Sequence, residues 1–247
     1  MEPPEPFYAL GHHFAIDLPG ARAAFSTRRG GHSTGPYESM NLGWLTDDDH
    51  RCVTRNRAAL EAELGAPALS FVHQVHGAEV RRMTAGTTTP RERPRVDGQA
   101  TDQRGVALCA LTADCLPIAL AAGGGGVVAM LHAGWRGLAT GMVASGVRAM
   151  RELGAEGELS AAIGPGAGPC CYEVGDEVHE PFAAISAAHA GRHLDLKAIA
   201  AQQLRAAGVA TVADIGICTI CADPALLFSH RRDHGTTGRQ AGVAWLT

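Results

Sequence analysis

Thr112-Ala113-Asp114-Cys115-Leu116-Pro117 is followed, after Gly123 to Gly126, by Leu131-His132-Ala133-Gly134-Trp135-Arg136-Gly137. Two apolar runs, Leu116 to Ala122 and Val127 to Leu131, flank the glycines. Glycine supplies the positive φ angles of a tight hairpin turn, so this stretch reads as a β-hairpin with reactive side chains at its open end. With Gly123 and Gly124 as the central pair of a two-residue turn, Cys115 and His132 become direct cross-strand partners, with Cβ atoms about 5 Å apart. From that distance a thiolate and an imidazole can ligate one metal ion.

Working outward, Val106 to Leu111 predicts the strand that leads into the hairpin. On the other side, Leu138, Met142, Val143, Val147 and Met150 recur at helical spacing and predict a helix from Leu138 to Leu153, stopped by Gly154. Its N-terminus, next to Arg136, is a candidate anion site. Asp47 to Asp49 begin a predicted helix from His50 to Leu64 that Gly65 ends. Strands are predicted near Ala23 to Thr27, Leu69 to Val75, Glu79 to Met83, Leu159 to Ile163, Thr211 to Ile217 and Val243 to Leu246. Further helices are predicted over Asp176 to Ala188, disturbed by Pro181, and Leu196 to Ala207, capped by Asp195. Arg28 to Gly43 and Thr87 to Pro94 read as loops, the first a place where binding groups sit. Hairpins interspersed with helices predict an α+β fold of mixed β-sheets flanked by helices. No G-x-G-x-x-G follows a strand, which removes a dinucleotide-binding reading.

A chain of 247 residues can bury one full core, and nothing in it reads as a linker. We expect a frayed Pro-rich lead over residues 1–7 and one domain over 8–247. A net charge of -4 with scattered arginines gives no footprint for nucleic acid. There is neither a signal-peptide pattern nor a run of 18 apolar residues, so the expectation is a cytoplasmic protein without a membrane partner. Seven cysteines, an odd number, imply free thiols rather than a disulfide framework.

His76, Cys115 and His132 all stand at predicted strand ends beside glycines. Three such ligands would leave a fourth position open, the pattern of a catalytic zinc site; the plainer alternative is a buried thiol and two loop histidines. Cys218-Thr219-Ile220-Cys221 has the spacing of half a zinc site, which Cys170-Cys171 could complete. Adjacent residues point apart along an extended chain, however, so small packed thiols are the favoured reading there. Arg28, Arg136 and Arg239 lie in Gly-rich segments where a guanidinium can clamp phosphate or carboxylate, Arg136 best of all.

A wider set of blocks carries a family resemblance. They are Phe25 to Gly31, Tyr37 to Gly43, Gln74 to Gly77, Asp97-Gly98, Thr112 to Cys115, His132 to Gly137, Gly164-Pro165 with Cys170 to Val174, and Cys218-Thr219 with Arg231 to Asp233 and Thr237 to Arg239. In this order they resemble the YfiH-type family, variously called laccase-domain, polyphenol oxidase or purine nucleoside phosphorylase proteins. The resemblance implies one zinc ion on His76, Cys115 and His132. It also implies phosphorolysis of adenosine, inosine and methylthioadenosine, and deamination of adenosine. Purine nucleoside and phosphate would then be the partners, with Arg28, Asn41 and Arg136 binding substrate and Asp114 carrying a proton or supporting a ligand. Two residues depart from the family pattern: His32 replaces an aliphatic residue and His234 a glycine.

Two other classes compete. A cysteine-type amide hydrolase, editing cell-wall peptide precursors, would use Cys115 as nucleophile, His132 as base and Asp114 or another acid as orienter. A copper polyphenol oxidase of the multicopper kind needs paired H-x-H motifs, and the chain has no H-x-H; copper is therefore a weaker expectation than zinc.

Overall fold

The computed structural model describes residues 2–84, 93–124, 126–185 and 188–247. Along the chain run β1 (Tyr8–Leu10), β2 (His13–Leu18), β3 (Ala21–Phe25), α1 (His50–Leu64), β4 (Ala68–Ser70), β5 (Val80–Met83), β6 (Gly98–Thr101), β7 (Val106–Thr112), β8 (Leu116–Ala122) and β9 (Val128–Ala133). They are followed by α2 (Trp135–Ala139), α3 (Met142–Glu152), β10 (Leu159–Ile163), α4 (Asp176–His179), β11 (His189–Ala190), β12 (His193–Leu194), α5 (Leu196–Ala206), β13 (Val209–Asp214) and β14 (Gln240–Leu246). One sheet has the order β1-β2-β3-β14-β7-β4, the other β13-β10-β8-β9-β6-β5. Pairs β4–β7, β5–β6 and β10–β13 are parallel and the remaining neighbours antiparallel, so both sheets are mixed, as predicted.

The two sheets stack face to face with helices on the outside. Along β8, Leu116, Ile118, Leu120 and Ala122 pack with Val143 and Met150 of α3 and Ile199 and Leu204 of α5. Ala119 and Ala121, on the opposite face, join Phe25, Leu108 and Ala244 in the core between the sheets. Leu60 and Leu64 of α1 cover the far face of the first sheet, against Met40, Val243 and Trp245. Because β8 is buried on both faces, it reads as a continuous apolar run instead of an alternating one. Phe7, last residue of the N-terminal lead, is buried with its ring 6.2 Å from that of Phe25.

The central hairpin forms, but in a different register. Pro117 pairs with His132 and Leu116 with Ala133, so Cys115 stands opposite Gly134 and not opposite His132. The glycines do not close a two-residue turn, because Gly123 and Gly124 donate their N–H groups to the carbonyls of Glu158 and Glu156 at 2.6 and 3.4 Å. Pairing stops at Ala121 and Val128, leaving a longer connection. A shift of two residues conserves the alternation of side chains, so Cys115 and His132 stay on one face.

Helix α1 matches its predicted bounds. Asp49 accepts from Arg51 N–H at 2.8 Å, and Gly65 turns left-handed at φ 58°. The single helix predicted over Leu138 to Leu153 is instead α2 and α3, divided at Gly141 with φ 90°. The anion site expected at its start therefore has only the five residues of α2 behind it. The helix predicted from Asp176 is α4 followed by a 3₁₀ turn over Glu180–Phe182 containing Pro181, and its remainder extends to residues 186–187, outside the described residues. Of the strand predicted from Leu69 to Val75 only Ala68–Ser70 is in the sheet. Strands β1, β2 and β6 were not anticipated, and most of the Thr87 to Pro94 loop lies outside the described residues. Among the described residues, no helix is long and apolar enough to cross a membrane.

Where β14 of one sheet faces β8 and β9 of the other, a Cβ on Gly242 would lie 2.5 Å from Pro117 Cβ and 2.9 Å from Met130 Sδ. Gly242→Ala is expected to destabilise the protein by about 1–3 kcal/mol through overpacking. A urea melt would show this as a lower midpoint with an unchanged slope.

Candidate metal centre and its pocket

Asp97 precedes β6, and its carboxylate organises the centre. Both oxygens accept from Val75 N–H at 3.1 Å, while His76 N–H donates at 2.8 Å and Gly77 N–H at 2.7 Å. Wrapping three successive amides round one carboxylate bends the chain so that His76 takes a left-handed φ of 60°. His132 is tied to the same residue twice. Its backbone N–H donates to Asp97 O at 2.7 Å, and its Nδ1 lies 2.8 Å from Asp97 Oδ1. Nε2 is therefore the nitrogen left to face the site, an orientation that metal-binding histidines adopt.

The donor atoms of His76, Cys115 and His132 all lie within 4.8 Å of one another. The two rings meet edge to face with centroids 4.9 Å apart. His132 is buried, Cys115 half-buried and His76 exposed. A Cβ on Gly134 would come within 2.7 Å of Cys115 Sγ and 3.5 Å of His76 Cδ2, so glycine makes the space that the triplet fills. Two imidazoles and a thiolate around one point suit a borderline-soft divalent ion.

Charge is arranged to match. Burial opposes ionisation of the Cys115 thiol, but the neighbouring His132 and His76 outweigh it and bring the pKa down to about 6. Burial likewise works against His132, yet Cys115 and Asp97 raise it to about 9. Asp97 is depressed despite its burial, chiefly by the His132 hydrogen bond and the Gly77 amide. Each of the two groups thus favours the charged form of the other.

The triplet lies in the wall of a cavity of about 780 Å³. Trp44, Trp135 and Tyr172 contribute aromatic surface, and Arg57, Arg93, Arg136, Arg231 and Arg239 face the same space, whereas Asp114 is the single acid lining it among the described residues. Burial and the nearby Arg93 pull Arg57 down to about 10, and burial also lowers Arg239. Such desolvated cations gain when an anion enters. Arg136 holds its guanidinium 4.3 Å from the centroid of Trp135 with no side-chain hydrogen bond among the described residues, while its backbone carbonyl accepts from Thr140 N–H at 3.0 Å.

The other residues singled out in the sequence have different surroundings. Asp114 is buried, with Oδ1 accepting from Thr219 Oγ1 at 2.6 Å and Oδ2 from Arg231 N–H at 2.7 Å. Arg28 does not line the cavity; it donates to the carbonyls of Glu38 and Pro224 and lies 4.4 Å from the Phe228 centroid. Asn41 is buried behind the wall, where its Oδ1 accepts from Gly43 N–H and Arg239 N–H at 2.9 Å each. Arg28 and Asn41 therefore shape the loops around the pocket without touching it. Asp97-Gly98 is one of the blocks of the family resemblance, but the sequence assigns its carboxylate no role, and the cavity walls at Trp44 and Arg57 are not singled out there.

Residues 22–247 match a family described as multi-copper polyphenol oxidoreductase laccase. The purine nucleoside phosphorylase SCO2081 of Streptomyces coelicolor is 44% identical over 236 residues, covering 92% of this chain and 96% of that one. The purine nucleoside phosphorylase YlmD of Geobacillus stearothermophilus is 40% identical over 243 residues, covering 89% and 88%. The crystal structure of Bacillus licheniformis YfiH superimposes with a TM-score of 0.89 at 30% identity, covering 99% of this chain and 100% of that one. The chain belongs to the YfiH-type, laccase-domain family.

Within that family pattern the two departures have a visible setting. His234 occupies a left-handed position at φ 51°, the conformation that favours the expected glycine. His32 is exposed, and its N–H donates to Asn56 Oδ1 at 2.7 Å. Neither lines the cavity. Among the described residues, the groups able to hold a metal are the His76, Cys115, His132 triplet and a cluster of four cysteines.

Two measurements probe the centre. Asp97→Asn is expected to weaken metal binding about 10–100-fold in a competitive chelator titration, since it loosens His132 and the 75–77 loop together. In chelator-treated protein, alkylation of Cys115 followed by peptide mass spectrometry is expected to rise with a midpoint near pH 6. Because the folded thiol is depressed, the reactive form persists above that pH; a midpoint near the ordinary thiol value would contradict the ion pair.

Proposed function

We propose that this chain is a zinc-dependent purine nucleoside phosphorylase that takes adenosine, inosine and methylthioadenosine and also deaminates adenosine. The observation that carries the reading is the His76, Cys115, His132 triplet, set in a cavity lined by three large aromatic side chains and five arginines. Its relatives named purine nucleoside phosphorylase support it. His76, Cys115 and His132 would hold the ion, which when bound supplies Lewis acidity without redox change.

The chain's own residues supply the rest. Trp44 and Tyr172 offer flat surfaces for a purine. Arg136, whose guanidinium has no hydrogen-bond partner among the described residues, is the candidate to bind phosphate; Arg239 lines the same cavity with Nη1 donating to the carbonyls of Thr237 and Gly238. In phosphorolysis a phosphate oxygen attacks the ribose carbon that bears the base, the carbon–nitrogen bond breaks, and the purine leaves with a negative charge that must be neutralised. His73 and His230 line the cavity outside the triplet and are the candidates to give a proton to the leaving nitrogen. In deamination, water replaces the amino group at purine C6 and ammonia leaves. Asp114, with both carboxylate oxygens engaged, acts by holding the loop next to Cys115. Seven free cysteines suit a reducing, cytoplasmic setting.

A second reading is favoured by one observation: Cys115, His132 and Asp97 form a relay of the kind that activates a cysteine nucleophile for amide hydrolysis. The orienting acid in it is Asp97, not Asp114. Metal and nucleophile need the same sulfur, so protection of Cys115 from an electrophile by zinc favours the phosphorylase, and covalent trapping in the metal-loaded protein favours the hydrolase.

Incubation of the purified protein with adenosine, with and without phosphate, separates the activities. Adenine is expected only with phosphate and inosine in both. Cys115→Ala should abolish both products, and retention of zinc and full phosphorolysis by that variant would overturn the proposal.

A further inference from the structure

Cys170, Cys171, Cys218 and Cys221 lie outside the pocket, yet their four Sγ atoms fall within 4.8 Å of one another, with Cys170 and Cys221 at 3.5 Å. The backbone explains the convergence. Gly166 and Cys218 form a parallel bridge, with Thr219 N–H donating to Gly166 O at 3.1 Å and Gly166 N–H to Ile217 O at 3.3 Å. This zips the two cysteine-bearing segments together just before each pair. Cys170 and Cys171 then sit in a tight turn, in which Cys171 and Tyr172 N–H both donate to Gly168 O at 3.1 and 3.0 Å. Adjacent residues in an extended chain point apart, whereas in such a turn both side chains can reach one side.

The second pair has the shape of a metal knuckle. Cys218 Sγ accepts from Gly168 N–H at 3.2 Å, and with the nearby backbone amides of Cys221 and Ile220 this favours its ionised form despite burial. Gly168 lies so close that a Cβ there would be 3.1 Å from Cys218 Cβ. Amide hydrogen bonds of this kind stabilise charge on a thiolate.

We infer that Cys170, Cys171, Cys218 and Cys221 form a second, structural metal site that binds one zinc ion through four thiolates. Zinc–sulfur bonds of about 2.3 Å set the sulfurs of a tetrahedron about 3.8 Å apart, so the observed group needs only a small contraction. The same closeness leaves no room for a polynuclear iron–sulfur cluster. Each thiol gives up its proton to solvent as the ion enters. The site has no open position once four sulfurs are bound, which makes it structural and not catalytic.

Its place in the fold gives the clip a purpose. Ala167 N–H donates to Asp114 O at 2.7 Å, and Thr219 Oγ1 donates to the Asp114 carboxylate, so the two clipped segments hold the residue next to Cys115. Tyr172, one residue beyond the pair, lines the pocket. A metal here would brace that wall from behind.

The test is metal stoichiometry on the full chain, purified without chelator from zinc-supplemented cells. Two zinc ions per chain are expected in the wild type and one in the Cys170→Ser, Cys221→Ser double variant. Cys115→Ser, which leaves the cluster intact, should keep one zinc whose X-ray absorption shows sulfur neighbours only; this arm stands even if the double variant does not fold. A wild-type protein with one zinc that Cys115→Ser removes would overturn the inference, as would a Cys170–Cys221 disulfide found by peptide mass spectrometry in the freshly isolated protein.

Discussion

Asp97 has a fully buried carboxylate, and the geometry of the centre depends on how that charge is satisfied. Burying a carboxylate is costly unless hydrogen bonds replace its lost water. Three amides from residues 75–77 and the His132 ring meet that need. In doing so they draw in a loop from one side and a strand from the other, and these bring His76 and His132 to the same point. Cys115, just ahead of β8, completes the triplet, and Gly134 leaves room for its sulfur. A metal would then be received by donors that are already oriented.

The layers around this point determine what surrounds the site. The hairpin β8–β9 is buried on both faces in the middle of the molecule, and its reactive residues lie at its open end, beside the Leu116–Ala133 pair. Loops from both sheets gather there, bringing arginines and aromatic side chains. The rigid part of the fold holds the metal ligands, while longer connections supply the pocket wall.

Much of this was legible in the sequence, for identifiable reasons. Helix α1 has a side-chain cap at Asp49 and a left-handed stop at Gly65, so its bounds follow from local chemistry. The triplet was legible because thiol and imidazole stood beside glycines at strand ends, and its face survived an error in register because the slip was even. The register itself was not legible, since Gly123 and Gly124 bond to residues 156 and 158 far along the chain. The role of Asp97 was not legible for the same reason: its partners are 20 to 35 positions away in sequence. Arg28 was assigned to substrate because it lay in a Gly-rich loop, yet two backbone carbonyls claim its guanidinium. The four cysteines were read as packed thiols on the assumption of extended chain, and a single tight turn at Cys170 and Cys171 reverses that assumption.

The central claim is that His76, Cys115 and His132 jointly hold one ion. Anomalous diffraction at the zinc edge, on crystals grown without chelator, tests it most directly. The account predicts a peak about 2.0–2.3 Å from a nitrogen of each histidine and from Cys115 Sγ. Crystals with zinc elsewhere in the molecule but no peak bonded to Cys115 would contradict it.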